Sequence, residues 1–256
     1  MNDFVTNVMS ARLGETHLFY VGQAGYIIKN KDGKLLGIDL YLSECVERIE
    51  GNIGFKRMLP KLFGAFDIEF DYLITTHAHV DHFDIDSIPL LMSNPNTKLF
   101  ASTRCREEVL RLQMKESNVH YVQAGQSVSL DGFDLHFVSC DHSDAAPDAF
   151  GVVISVDGKI IYMAGDTCLH LEKAEEYMAF GEIDMLIAPI NGAFGNLNEQ
   201  DCADLSNALQ PKITIPSHYG MFPCHGGNPG KFYHIMKEQY PGNKFIFMTV
   251  GERITI

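Results

Sequence analysis

The chain has 256 residues, 46% of them hydrophobic, with 20 Lys plus Arg against 33 Asp plus Glu and a formal charge of −13. That mix excludes a disordered, fibrous or collagen-like chain, and the acid excess opposes binding to phosphate backbones. No apolar run approaches the ~20 residues of a membrane span, and residues 1–15 lack the basic-then-apolar order of a secretory signal. The expectation is a soluble cytoplasmic protein with no nucleic-acid or membrane partner. The six cysteines are scattered and form no C-x-x-C pair, which fits a reducing compartment.

In chain order, His17–Val21, Tyr26–Lys29 and Lys34–Ile38 read as short strands. Gly22 and Gly25 bracket the first turn, and Lys31-Asp32-Gly33 reads as a hairpin loop. Residues 43–70 have no clean period and contain Gly51, Gly54, Pro60 and Gly64, so they read as an irregular excursion and a candidate lid. Asp71–Thr75 and Lys98–Ala101 are short apolar strands, the second followed by a helix near Arg104–Gln113. Asn118–Val122, Ser127–Leu130 and Phe133–Ser139 resemble a meander turning at Asp131-Gly132. Phe150–Val156 and Lys159–Met163 pair around Asp157-Gly158. Helices near Leu171–Ala179, Glu199–Ala208 and Lys231–Gln239 then alternate with strands Asp184–Ala188, Lys212–Ile215 and Phe245–Val250. No linker or repeat divides the sequence, so residues 1–256 read as a single domain. Early meanders and late alternation suggest sheets packed together with helices outside.

The chemistry-bearing signal is Thr76-His77-Ala78-His79-Val80-Asp81-His82, directly after the strand Tyr72-Leu73-Ile74. Residues two apart on an extended chain project to one side, so His77 and His79 can point at one cation, with Asp81 and His82 curling back from the turn. Imidazole and carboxylate are ligands for zinc and similar divalent ions. Three further candidates sit where strands end. His142 follows the strand ending near Cys140, and His218 follows Pro216-Ser217. Asp166 sits in Ala164-Gly165-Asp166-Thr167, where Gly165 allows a sharp turn. Asp166 could instead cap the next helix, but the histidine cluster favours the ligand.

H-x-H-x-D-H after a strand, then a lone His, then Gly-Asp-Thr, then a lone His, resembles the metallo-β-lactamase superfamily over nearly the whole chain. Within it, the sequence is most similar to the L-ascorbate-6-phosphate lactonase type. The segments behind that likeness are Val21–Tyr26, Ile38–Ser43, Val46–Gly51, Cys140–Ala149 and Ala188–Gly192, with Leu40 departing from an Ile-Asp-Pro-Tyr run. The resemblance implies a four-layer α/β fold, an αββα sandwich of two mixed β-sheets with outer helices. It also implies two divalent metal ions: His77, His79 and His142 on the first, Asp81, His82 and His218 on the second, and Asp166 bridging them.

Such a centre implies a metal-dependent hydrolase working through a metal-bound hydroxide, with Asp81 and Asp166 as catalytic residues. No G-x-S-x-G elbow is present. Asp81 is suited to orient the water or carry a proton to the leaving group. The lactonase likeness implies a small anionic substrate, a lactone of a phosphorylated sugar acid. Arg48 and Arg57, with Lys56 beside them, are candidates for its phosphate, and Asn191 and His225 for lining the pocket. Asn191 and the nearby Asn198 could equally serve turn chemistry. Five imidazoles and two carboxylates suit Mn2+ or Zn2+, and iron as well; the likeness favours manganese and the ligand chemistry zinc. A homo-oligomer is left open. Three rivals are weighed. A phosphodiesterase or nuclease on the same core would want a basic face. A di-iron oxidoreductase resembles H-x-E-x-D, where this chain has His79. A non-catalytic metal-binding protein would not need all seven ligands.

Overall fold

The computed structural model describes residues 3–256. Backbone contacts divide the chain into two compact units, one running to Val122 and taking in Thr249–Ile256, the other spanning Gln123–Met248.

The first unit opens with helix α1 (Asp3–Met9), which buries Phe4, Val5 and Val8. Its sheet contains β1 (His17–Gly22), β2 (Gly25–Lys29), β3 (Leu35–Ile38), β4 (Tyr72–Thr75), β5 (Lys98–Ser102), β6 (Val119–Val122) and, from the chain end, β13 (Arg253–Thr255). The order is β13-β1-β2-β3-β4-β5-β6. β13 through β3 pair antiparallel, while β3 through β6 pair parallel. β1, β3 and β4 therefore point the same way, and their carboxyl ends leave one edge of this sheet. β1 to β4 are buried along their whole length, as strands covered on both faces must be. Lys29, also buried, donates through Nζ to the carbonyls of Val8, Met9 and Ala11 at 2.8–3.0 Å. Val8 and Met9 lie in the last turn of α1, where carbonyls lack a full set of helical partners, and Ala11 follows just after it.

Three short helices interrupt this sheet: α2 (Cys45–Glu50), α3 (Ile88–Leu91) and α4 (Cys105–Arg111). The excursion at 43–70 is thus not wholly irregular. It begins with α2, which buries Cys45 and Val46 and ends on Gly51 at φ +61°, a left-handed cap that suits glycine. One buried face on a helix this short gave no readable period.

The second unit contains β7 (Ser127–Leu130), β8 (Phe133–Ser139), β9 (Phe150–Val156), β10 (Lys159–Met163), β11 (Met185–Pro189) and β12 (Ile213–Ser217), with α5 (Ala174–Tyr177), α6 (Glu199–Leu209) and α7 (Pro229–Gln239). The order is β12-β11-β10-β9-β8-β7. β10, β11 and β12 are parallel, and β9 runs antiparallel to both β10 and β8. β8, β10, β11 and β12 hence end at the same edge of their sheet. The core of this unit gathers Val153, Tyr162, Leu186, Leu197, Leu205, Phe232 and Met236.

Two mixed sheets with accompanying helices are the composition expected of the αββα class. Two expected elements differ. The stretch 245–250 pairs with β12 only at Phe245. Phe245 and Phe247 pack instead on Phe232 of α7, with ring centroids 5.6 and 6.2 Å away, so their alternation reflects helix packing. The helix expected near Leu171–Ala179 is a 3-10 turn followed by the one-turn α5. No helix among the described residues is long and apolar enough to cross a membrane.

Candidate metal centre

In the first unit the turn after β4 folds back on itself. His82 N and Phe83 N both donate to His79 O, at 2.9 and 2.7 Å. This curl brings the imidazoles together. His77 Nε2 lies 2.8 Å from His79 Nδ1, and the His77 and His82 rings are 4.1 Å apart. Asp81 Oδ2 stands 3.7 Å from His82 Nε2. His77 and His82 are fully buried, with Asp81 at 14% side-chain exposure. Buried polar atoms need partners, and residues at neighbouring strand ends supply them. Asp39, at φ +44° just after β3, accepts from Thr76 N at 2.8 Å, from Thr76 Oγ1 at 2.7 Å and from His82 Nδ1 at 2.8 Å. That carboxylate fixes the His82 tautomer with Nε2 as the candidate ligand atom, the kind of outer support that a metal-bound imidazole carries. Gln23, at φ +55° just after β1, donates Nε2 to Asp81 Oδ2 at 2.8 Å.

In the second unit three strand ends deliver one residue each. His142 follows β8, Asp166 follows β10 and His218 follows β12; all three are buried. The two oxygens of Asp166 address different histidines. Oδ1 is 3.2 Å from His218 Nε2 and Oδ2 is 3.9 Å from His142 Nε2. Ligand atoms about 2 Å from an ion lie about 3–4 Å from one another. The donor set therefore fits a carboxylate shared by two divalent cations, with one imidazole beside each oxygen. Asn196 Nδ2 donates to Asp166 Oδ2 at 2.8 Å and steadies it. Gly165 turns at φ +69°, where an added Cβ would sit 3.0 Å from Phe150 O, so glycine is required to aim Asp166. His218 itself adopts φ +59°, an uncommon left-handed backbone that tends to mark functional positions.

His225 stacks on His218, with centroids 5.3 Å apart and planes 11° from parallel. Asn191, just past β11, is buried. Gly226 packs over it, with an added Cβ 2.2 Å from Asn191 O, so the backbone closes tightly there. Asn198 caps α6, accepting from Gln200 N and Asp201 N, and so takes the turn-chemistry role. The two arginines differ in what holds them. Arg57 donates to four backbone carbonyls, those of Leu59, Tyr41, Ser43 and Pro60, and lies over the Tyr41 ring; it clamps the excursion. Arg48 bonds exposed Asp86 at 2.5 Å in a cleft also lined by Glu44 and Glu47.

Sequence reading missed Gln23, Asp39 and Asn196 as supports. Each lies just beyond a strand or in a Gly-rich loop, and the nearest available sign was their position beside strand ends and the glycines Gly22, Gly192 and Gly195.

The profile described as "Beta-lactamase superfamily domain" matches residues 16–218. The chain belongs to the metallo-β-lactamase superfamily. At that level it is a metal-dependent hydrolase. It is similar to a "UPF0173 metal-dependent hydrolase" of Polynucleobacter asymbioticus, 28% identical over 94% of this chain and 86% of the relative. A protein of the same description from Saccharolobus solfataricus is 29% identical over 77% of this chain and 86% of that one. Among solved structures, Igni18, described as a novel metallo hydrolase from Ignicoccus hospitalis, superposes with a TM-score of 0.72 at 23% identity, covering 94% of this chain and 98% of Igni18. That likeness supports the superfamily fold.

Proposed function

We propose that this superfamily member opens a lactone of a phosphorylated sugar acid. His77, His79 and His142 would hold one divalent cation, Asp81, His82 and His218 a second, and Asp166 both. The observation that carries the two-metal reading is Asp166, whose oxygens address His142 and His218 separately. When bound, such cations supply activated water at neutral pH and polarise the acyl oxygen.

The remaining steps fall to the chain. Asp81, oriented by Gln23, holds the attacking water and passes its proton to the leaving alkoxide. Asp39 holds His82 by its Nδ1. His225 and Asn191 border the substrate through their places beside His218 and past β11. The substrate class rests on the sequence segments resembling the lactonase type. Of the two arginines, Arg48 is the one able to exchange an exposed carboxylate partner for a substrate phosphate, since Arg57 is tied to four carbonyls.

The test is hydrolysis by Mn2+- and Zn2+-loaded protein of matched lactones with and without phosphate, alongside phosphodiesters and thioesters. Faster turnover of the phosphorylated lactone is expected. Turnover of the phosphodiester alone would replace the lactonase reading with a phosphodiesterase. An unchanged KM for the phosphorylated lactone in Arg48→Ala would remove Arg48 from the site.

A further inference from the structure

A second group of donors lies in the second unit and takes no part in the chemistry above. Asp141 sits just after β8, and Cys168 and His170 sit in the turn after β10. Cys168 N donates to Asp141 O at 2.9 Å, tying the two segments together. Cys168 and His170 are two apart in the sequence, and the contact between their side chains shows that both turn to the same side. His170 Nε2 lies 2.9 Å from Asp141 Oδ2 and 3.3 Å from Cys168 Sγ. One oxygen, one sulfur and one nitrogen converge within 4.8 Å of one another.

We propose that Asp141, Cys168 and His170 bind a transition-metal ion of the zinc class at a site of its own. Tetrahedral zinc would set nitrogen and oxygen about 3.3 Å apart, and nitrogen and sulfur about 3.5 Å apart. The observed spacings need open by only a few tenths of an ångström. The mixed donor set selects the metal class: thiolate and imidazole favour zinc, cobalt or copper over magnesium or calcium. Glu172 Oε1 lies 2.5 Å from His170 Nδ1, the carboxylate support that orients a metal-binding imidazole. Side-chain exposure of 52% at Asp141 and 30% at His170 leaves the fourth position to water, so the ion is exchangeable rather than sealed in.

A thiol nucleophile is the competing use of Cys168, His170 and Glu172. The geometry disfavours it. Asp141 occupies the same Nε2 that would have to accept the thiol proton, and a carboxylate beside the sulfur opposes thiolate unless a cation is present.

Cobalt(II) titration of the full chain tests the site. The seven ligands proposed for the main centre contain no sulfur, so a near-ultraviolet thiolate-to-cobalt charge-transfer band would not come from them, and the cysteine variants below assign it whether or not the hydrolase reading holds. The band is expected to saturate at one equivalent, to vanish in Cys168→Ser, and to need at least ~10-fold more cobalt in His170→Ala. Cys140→Ser and Cys224→Ser should keep it. Bound zinc should fall by one ion per chain in Cys168→Ser. A wild-type chain with no band at saturating cobalt overturns the proposal, as does a band that survives Cys168→Ser. If Cys168→Ser fails to fold, Cys168→Ala takes its place, and the absence of a band in the wild-type chain is decisive without either.

Discussion

The two units supply candidate ligands by different routes. The first delivers His77, His79, Asp81 and His82 from one turn after β4, and that turn is self-bonded through His79 O. The second delivers His142, Asp166 and His218 from three separate strand ends. A contiguous cluster keeps its internal spacing so long as one turn holds. A scattered one depends on register between β8, β10 and β12, which the whole sheet must maintain. The difference makes the first cluster locally encoded and the second globally encoded.

The largest test strikes the scattered set. Asp166→Ala removes the carboxylate beside both His142 and His218, and kcat/KM should drop by ~10³-fold or more, about 4 kcal/mol, with loss of both metals by elemental analysis. Retention of one tightly held metal would show that the first cluster is self-sufficient. Asp81→Asn, assayed at saturating metal because Asp81 is also a proposed ligand, is expected to lower kcat by ~10²-fold, because it removes the proton carrier. Full activity with both metals bound would refute that role.

Supports should matter less than ligands. Asp39→Ala unties His82 and Thr76 in the first unit, and Asn196→Ala unties Asp166 in the second. Each should weaken metal affinity by ~10- to 100-fold. If local encoding confers robustness, the Asp39 variant, whose turn is otherwise intact, should lose less. Equal losses in competitive chelator titrations would break the comparison.

The smallest expected effect concerns acid stability of the second unit. Burial pushes the Glu199 carboxyl up, but bonds from Lys231 Nζ and Asn228 N outweigh it and hold the group below its ordinary range. A depressed folded value means that its stabilisation is full above about pH 4.3 and is lost as pH falls through that lower value. Glu199→Gln should flatten the acid limb of Tm against pH and leave neutral activity unchanged. An identical acid limb would show that the Lys231 pair contributes nothing there.

How far the sequence could be read follows the same division. His77 to His82 were legible as a donor cluster from spacing alone, because their approach to one another is set within six residues. His142, Asp166 and His218 were legible only as residues at strand ends, and the resemblance divided them between metals. Most strands were readable to within a residue or two from short apolar runs between turn signals. What escaped was set by tertiary pairing. β13 carries Arg253 and Thr255 and becomes a strand through register with His17 to Phe19. α2 buries only Cys45 and Val46 of its six residues. Asp39 resembled an ordinary loop acid until the fold brought Thr76 and His82 to it. Arg57 had the composition of an anion hook, but Tyr41 and the loop carbonyls claimed its donors.

In each sheet the chemistry-bearing residues all leave from carboxyl strand ends. The hairpin tips at Asp32-Gly33, Asp131-Gly132 and Asp157-Gly158 therefore turn at the opposite margins and carry none of those ligands. A fluorophore, affinity tag or short peptide insert belongs at those tips. There it can be attached without disturbing the side chains on which turnover would depend.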